Sequence, residues 1–202
     1  MITRLESRLV TDEELDAEVK TIYTMVRTLE RRCMEAISGQ PSFPAGRQCE
    51  NSLNDEQFQA ITAMHRAVLD EYGDFFLATQ YPRAPPAFKR LPLEYCMPAR
   101  LWAIGIHGLL EFLRHKLPAS EEHIEAFIQV AYQMLAQISD AAPNFECTWK
   151  ECMGDLARYR MAIESKDCRV KEAWTDTARE LYSWCSEQDP AVGRLYHHRG
   201  VL

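Results

Sequence analysis

The run Trp149-Lys150-Glu151-Cys152-Met153-Gly154-Asp155-Leu156-Ala157-Arg158-Tyr159-Arg160 ends in three side chains that can grip an anion. Trp149, Cys152, Met153, Leu156, Tyr159 and Ile163 recur at helical spacing and form an inward stripe. Arg158 lies one step off that stripe, about 100° around the helix from its neighbours. A guanidinium at the edge of an apolar stripe can hold an oxyanion bidentately, and a tyrosine hydroxyl adds a donor. The alternative is a helix with solvated arginines.

Other reactive residue types form weaker patterns. No Ser or Cys stands in a nucleophile motif and no Gly-rich phosphate loop appears, so the chain reads as a non-enzyme with no catalytic residues and no cofactor. Cys147 and Cys152 are five apart, and His197 and His198 are adjacent; neither pair has zinc-ligand spacing, so no metal site is expected. His107, His115 and His123 fall on two successive helical segments and read as exposed or core imidazoles rather than as a metal cluster. Glu151 and Asp155, one turn apart, read as solvated carboxylates on an acidic helix surface. Arg83, Lys89, Arg90 and Arg100, interleaved with Tyr81 and Phe88, are candidate contacts for single-stranded nucleic acid. The alternative for these four is an exposed Pro-rich connector with scattered bases.

The chain has 202 residues, 47% hydrophobic and 26% charged, enough to bury a core without disulfides or metals. Its seven cysteines are odd in number and scattered, which suits reduced thiols in the cytoplasm or nucleus. The first residues are polar, with no signal peptide, and no apolar run reaches membrane-span length. The net charge of −7 excludes a strong generic pull on nucleic acid, but it is unevenly spread. Residues 1–80 carry −6, residues 81–116 carry +4 and residues 117–202 carry −5. One basic segment between two acidic ones suits a local anionic ligand.

These side chains must be positioned by helices, because no period-two pattern persists. The sequence predicts an all-α array of antiparallel helix hairpins. Thr11 with Glu14 forms a capping box that opens a helix to Ser38, with Leu15, Val19, Ile22, Val26, Leu29, Cys33 and Ile37 on one face. Residues 39–53 read as a flexible loop, as do residues 1–9. Asn54 with Gln57 starts a second helix that ends near Gln80. Residues 81–98 hold five prolines and predict an irregular connector with one short turn near Phe88. A third helix is predicted from Pro98 to Leu117 and a fourth, capped by Ser120, to Ser139. The Trp149 helix follows, then a sixth over 170–187 and a last one after Pro190, expected to be short and frayed. Ala178, Leu181, Tyr182, Pro190, Gly193, Tyr196 and Leu202 carry fragments of one tetratricopeptide-type unit.

Cys152-Met153-Gly154-Asp155-Leu156-Ala157-Arg158-Tyr159-Arg160, followed by Ala178, Tyr182, Pro190, Gly193 and Tyr196, resembles the telomerase-activating (ever shorter telomeres) and nonsense-mediated-decay (SMG) family. Leu101, Trp102, Gly105 and His107, with the run Leu113-Arg114-His115-Lys116-Leu117-Pro118, resemble its fungal branch, and the likeness covers nearly the whole chain. It implies one helical domain over 1–202, with 14-3-3-like helices over 10–165 and the start of tetratricopeptide-like hairpins over 166–202. It also implies a phosphoserine groove built from a lysine and an arginine seven residues apart on one helix and an Arg-Tyr pair on another. By position Arg158 and Tyr159 match the Arg-Tyr pair, Arg114 matches the arginine, and His107 falls where the lysine would be. A neutral imidazole there offers one donor in place of a charged ammonium. Residues 107 and 114 are two turns apart, about 10 Å along the axis. The alternative for Arg114 is a pairing with Glu111 or another surface acid.

The resemblance thus implies a non-enzymatic scaffold for phosphorylated partner segments, in RNA surveillance or telomere maintenance, in the nucleus, the cytoplasm or both. A DNA- or RNA-binding module is the second expectation. A short pseudo-domain that keeps the helices and serves protein interaction alone is the third.

Overall fold

The computed structural model describes residues 11–39 and 53–202. The expected start at 1–9 and residues 40–52 of the expected loop lie outside them. Among the described residues every regular element is helical: α1 Asp12–Ser38, α2 Asp55–Thr79, α3 Pro86–Glu94, α4 Met97–Arg100, a π-helical segment Leu101–His107, α5 Gly108–Arg114, α6 Glu121–Ala141, a 3-10 turn Pro143–Phe145, α7 Glu146–Ile163, α8 Cys168–Gln188 and α9 Gly193–Gly200. The all-α array read from the sequence is what the chain builds. Within this set no helix is long and apolar enough to cross a membrane.

Both long N-terminal helices begin on reciprocal caps. Glu14 N–H donates to Thr11 Oγ1 (3.2 Å) while Thr11 N–H donates to the Glu14 carboxylate (3.0 Å). Asn54 and Gln57 repeat the arrangement at 2.9 and 3.0 Å. Each pair satisfies two backbone donors that have no partner in a bare first turn. Acidic residues in both first turns complement the positive end of the helix dipole.

α2 is the axis of the array. It packs against α1, α3, the π segment and α6, and Phe58, Ile61, Val68, Leu69, Tyr72, Phe75 and Phe76 are all buried. α6 runs alongside α2 in the same sense. His123 pairs with Asp55 at 2.8 Å near one end, and Met134 lies against Gly73 further along. α7 is tied to this axis by an edge-on contact of Phe76 with Trp149, ring centres 4.9 Å apart. The buried Trp149 indole donates to the Ala142 carbonyl at 3.2 Å, so the ring enters the core with its polar atom satisfied. α8 lies antiparallel on α7. The Tyr182 ring covers Gly154, and the Cys185 thiol reaches the Cys147 carbonyl.

Three elements depart from the sequence reading. The connector is not irregular: α3 occupies nine of its residues. Pro86 starts that helix, where a missing N–H costs nothing, and Pro92 is carried inside it and buried. A left-handed Cys96 (φ 52°) then redirects the chain into α4. The predicted third helix is interrupted, because the backbone widens to π geometry over Leu101–His107 and helix ends at Arg114 rather than Leu117. Ser120 does not cap α6 with its side chain. Its hydroxyl turns back to the Leu113 carbonyl at 2.5 Å and joins the two helix ends.

The π segment sits at a tertiary contact with α2. Gly105 presses against Leu69 and Tyr72 of α2, and its carbonyl accepts from His65 Nδ1 at 3.0 Å. A π turn releases a carbonyl from the helical ladder, and the buried imidazole satisfies it.

Candidate functional site

The π segment, α5 and α7 bring together three of the four residues singled out for anion binding. The Glu111 carboxylate lies at their centre. Arg114 donates to it through Nε (3.1 Å) and Nη2 (2.7 Å), both within one turn of α5. Tyr159 reaches across from α7 and donates its hydroxyl to Glu111 Oε1 at 2.5 Å. The His107 ring stands edge-on to the Tyr159 ring at 6.2 Å and lies beside Trp102 at 5.9 Å. His115 approaches Glu111 from the exposed side, at 3.8 Å.

This arrangement is a grip on an oxyanion, filled by a side chain of the protein. The Arg114 hydrogen bonds hold the Glu111 carboxyl down to about 2, with the Tyr159 hydroxyl and the nearby His107 adding to the effect against partial burial. Burial and the Glu111 carboxylate together push the Tyr159 hydroxyl up, which keeps it a donor. The pairing of Arg114 with Glu111, the alternative read from the sequence, is the one the side chains adopt.

Arg158 takes a different course. Its Nη2 pairs with Asp155 Oδ1 at 3.0 Å, and its Nε is buried with no hydrogen-bond partner. Asp155 also accepts the Tyr182 hydroxyl at 2.7 Å. The His198 ring stacks on Tyr182 with centres 4.9 Å apart. Glu151, one turn away, is held by Arg194 through both oxygens at 2.6 and 2.9 Å. The reading of Glu151 and Asp155 as solvated carboxylates is therefore corrected. Their side chains are only 15% and 13% exposed, because α8 and α9 close over that face of α7 and supply the partners.

The connector bases do not form a strip. Arg100 is turned inward onto Glu30 of α1, with Nε–Oε1 at 3.0 Å and Nη2–Oε2 at 2.6 Å. It also lies over the Tyr23 ring, and the Tyr72 hydroxyl donates to the same Glu30 carboxylate. Lys89 donates to the Pro82 carbonyl at 3.4 Å. Arg83 and Arg90 remain exposed. Arg100 as a nucleic-acid contact is corrected accordingly: burying the Glu30 carboxylate requires a cation, and Arg100 is the one that reaches it.

Three residues that matter here, Glu111, Asp155 and Glu30, were not among the candidate binders. The first two had a signal, since each acid precedes its arginine by three residues, a spacing that brings helical side chains together. Glu30 had one too, because it falls on the stripe of Val26 and Cys33, where an acid demands a buried partner. Among the described residues no group of three His, Cys, Asp or Glu is arranged to hold a metal. The chain matches no known protein family, no curated protein and no solved structure.

Proposed function

We propose that this chain is a non-enzymatic helical scaffold that binds phosphorylated partner segments where Arg114 of α5 and Tyr159 of α7 meet. One observation carries the reading: Arg114 and Tyr159, from two separate helices, converge on the oxygens of a single carboxylate. A phosphoserine offers three acceptor oxygens and a charge near −2 in place of the single charge of Glu111, and so competes for the same donors. Glu111 is then an internal occupant that must swing aside. The guanidinium is half-exposed and so open to an incoming group from solvent. Arg158, paired with Asp155, adds positive charge beside Tyr159 on α7. The resemblance to the telomerase-activating and nonsense-mediated-decay family supplies the setting, RNA surveillance or telomere maintenance.

The test is calorimetry with a phosphoserine peptide and its unphosphorylated twin. The native chain is expected to prefer the phosphorylated form, and Arg114→Ala to weaken binding by ~1.5–3 kcal/mol while leaving the fold intact. Equal binding of the twins would leave a scaffold for protein interaction without a phosphate groove. A nucleic-acid module finds less support, since Arg100 is committed to Glu30.

A further inference from the structure

The outer face of α2 carries two adjoining troughs. One, of about 440 Å³, lies between α1 and α2. The other, of about 340 Å³, lies between α2 and α6. Asp74 and Leu77 line both, so they form the ridge between them. Leu77 is 57% exposed, an apolar side chain at the crest of a surface whose flanks are also apolar: Leu15 and Ile22 on one side, Met134 and Ile138 on the other. Four exposed carboxylates line the troughs, Asp12 and Glu18 from α1 and Asp70 and Asp74 from α2. None of the four has an ion-pair partner among the described residues, in contrast to Glu30, Glu111, Glu151 and Asp155, which all do. Among the described residues, Arg83 is the one basic group lining either trough. Asp70 and Asp74 also face the neighbouring Glu71, whose carboxyl is raised by partial burial and then by these two charges.

We infer that this face docks a basic amphipathic helix of a partner protein. Apolar side chains of the partner would settle in the troughs on either side of Leu77, and its Lys or Arg residues would reach Asp12, Glu18, Asp70 and Asp74. Charge decides the occupant. Unpaired carboxylates around an apolar crest repel nucleic acid and anionic lipid surfaces, and attract a cationic segment. Shape decides its form. Asp70 to Leu77 spans two turns of α2, about 10 Å, which matches the i, i+3/i+4, i+7 anchors of a helix lying in an interhelical groove.

The probe is a fluorescent peptide of about 14 residues containing only leucine and lysine, with leucines on one helical face. Its leucine–glutamate counterpart is the control. Anisotropy against the full chain is expected to show saturable binding of the lysine peptide alone. Asp70→Asn with Asp74→Asn, and separately Leu77→Ser, are expected to weaken it at least about tenfold. Neutralising two exposed acids on α8, Glu172→Gln with Glu180→Gln, is expected to change it less than about twofold. Leu77 is exposed, so its replacement leaves the core untouched. Methyl chemical shifts of Ile22, Leu77 and Met134 in the native chain report the same contact without any substitution. No binding of the lysine peptide, an equal loss in the α8 control, or methyl shifts elsewhere would overturn the inference. So would a native dimer that Leu77→Ser dissociates, since a second copy would then be the occupant.

Discussion

Glu111 contributes stability only while it is ionised. Its folded value of about 2, set first by Arg114, lies below the ordinary carboxylate range. The contribution is therefore complete above about pH 4.3 and is lost as pH falls toward 2. Because the pair is partly solvated, its worth is under ~1 kcal/mol, and the clearer readout is the titration itself. In Arg114→Ala the Glu111 carboxyl, followed by carbon-detected NMR, is expected to titrate well above its native midpoint; an unchanged midpoint would remove Arg114 as the cause. The components of this site were legible in the sequence as residue types, with Arg114, Tyr159 and His107 named from spacing and resemblance. That Tyr159 closes on Glu111 was not legible, because the contact joins residues on two helices and depends on how α5 sits against α7. Arg158 was legible as a cation at the edge of the stripe, but its partner Asp155 is buried by α8 and α9, which no pattern within α7 announces.

Helix starts were the most legible elements, since Thr11–Glu14 and Asn54–Gln57 are local signals with local consequences. The π segment was not, because its cause is the contact of Gly105 with His65, forty residues earlier. That contact has a pH signature. Burial lowers the His65 value below the usual 6.5, so the folded state prefers the neutral ring, which donates from Nδ1. Stability is then fully present above 6.5 and declines as pH falls below it. His65→Asn keeps a donor near the Nδ1 position and cannot titrate. Denaturant midpoints between pH 7 and 5 are expected to fall less steeply in that variant than in the native chain, and equal slopes would reject the assignment. Gly154 supplies a second test on the α7/α8 pair. A Cβ there would stand 2.7 Å from a Tyr182 ring carbon, so Gly154→Ala forces apart the helices that Tyr182 and Asp155 join. The expected overpacking cost of ~1–3 kcal/mol outweighs the gain of up to about 1 kcal/mol in helix propensity. A higher melting temperature would contradict it.

Across the described residues, Arg100 and Arg114 of the basic segment are paired with acids and Arg83 and Arg90 stay exposed, while much of the acid on α1 and α2 faces solvent. Arg100 shows the inward half of this division. Its loss would strand the Glu30 carboxylate, which is 5% exposed, in the core. Arg100→Ala is expected to cost ~3–5 kcal/mol by chemical denaturation, and a cost under ~1 kcal/mol would mean that Glu30 finds water or another partner. The segment charges were legible from the sequence, but not which bases would remain available, because α3 and α4 form where the prolines predicted irregular chain. In the proposed function, Arg114 and Tyr159 form an oxyanion site occupied by the chain's own Glu111. Removing the charge of that occupant tests it most directly. Phosphoserine peptide binding is measured by calorimetry for the native chain and Glu111→Gln at the same pH and salt. The account expects the variant to bind the phosphorylated peptide about tenfold more tightly, with no gain for the unphosphorylated twin. Equal or weaker binding by Glu111→Gln would contradict it, and would make Glu111 a structural partner of Arg114 and Tyr159 rather than a stand-in for the ligand.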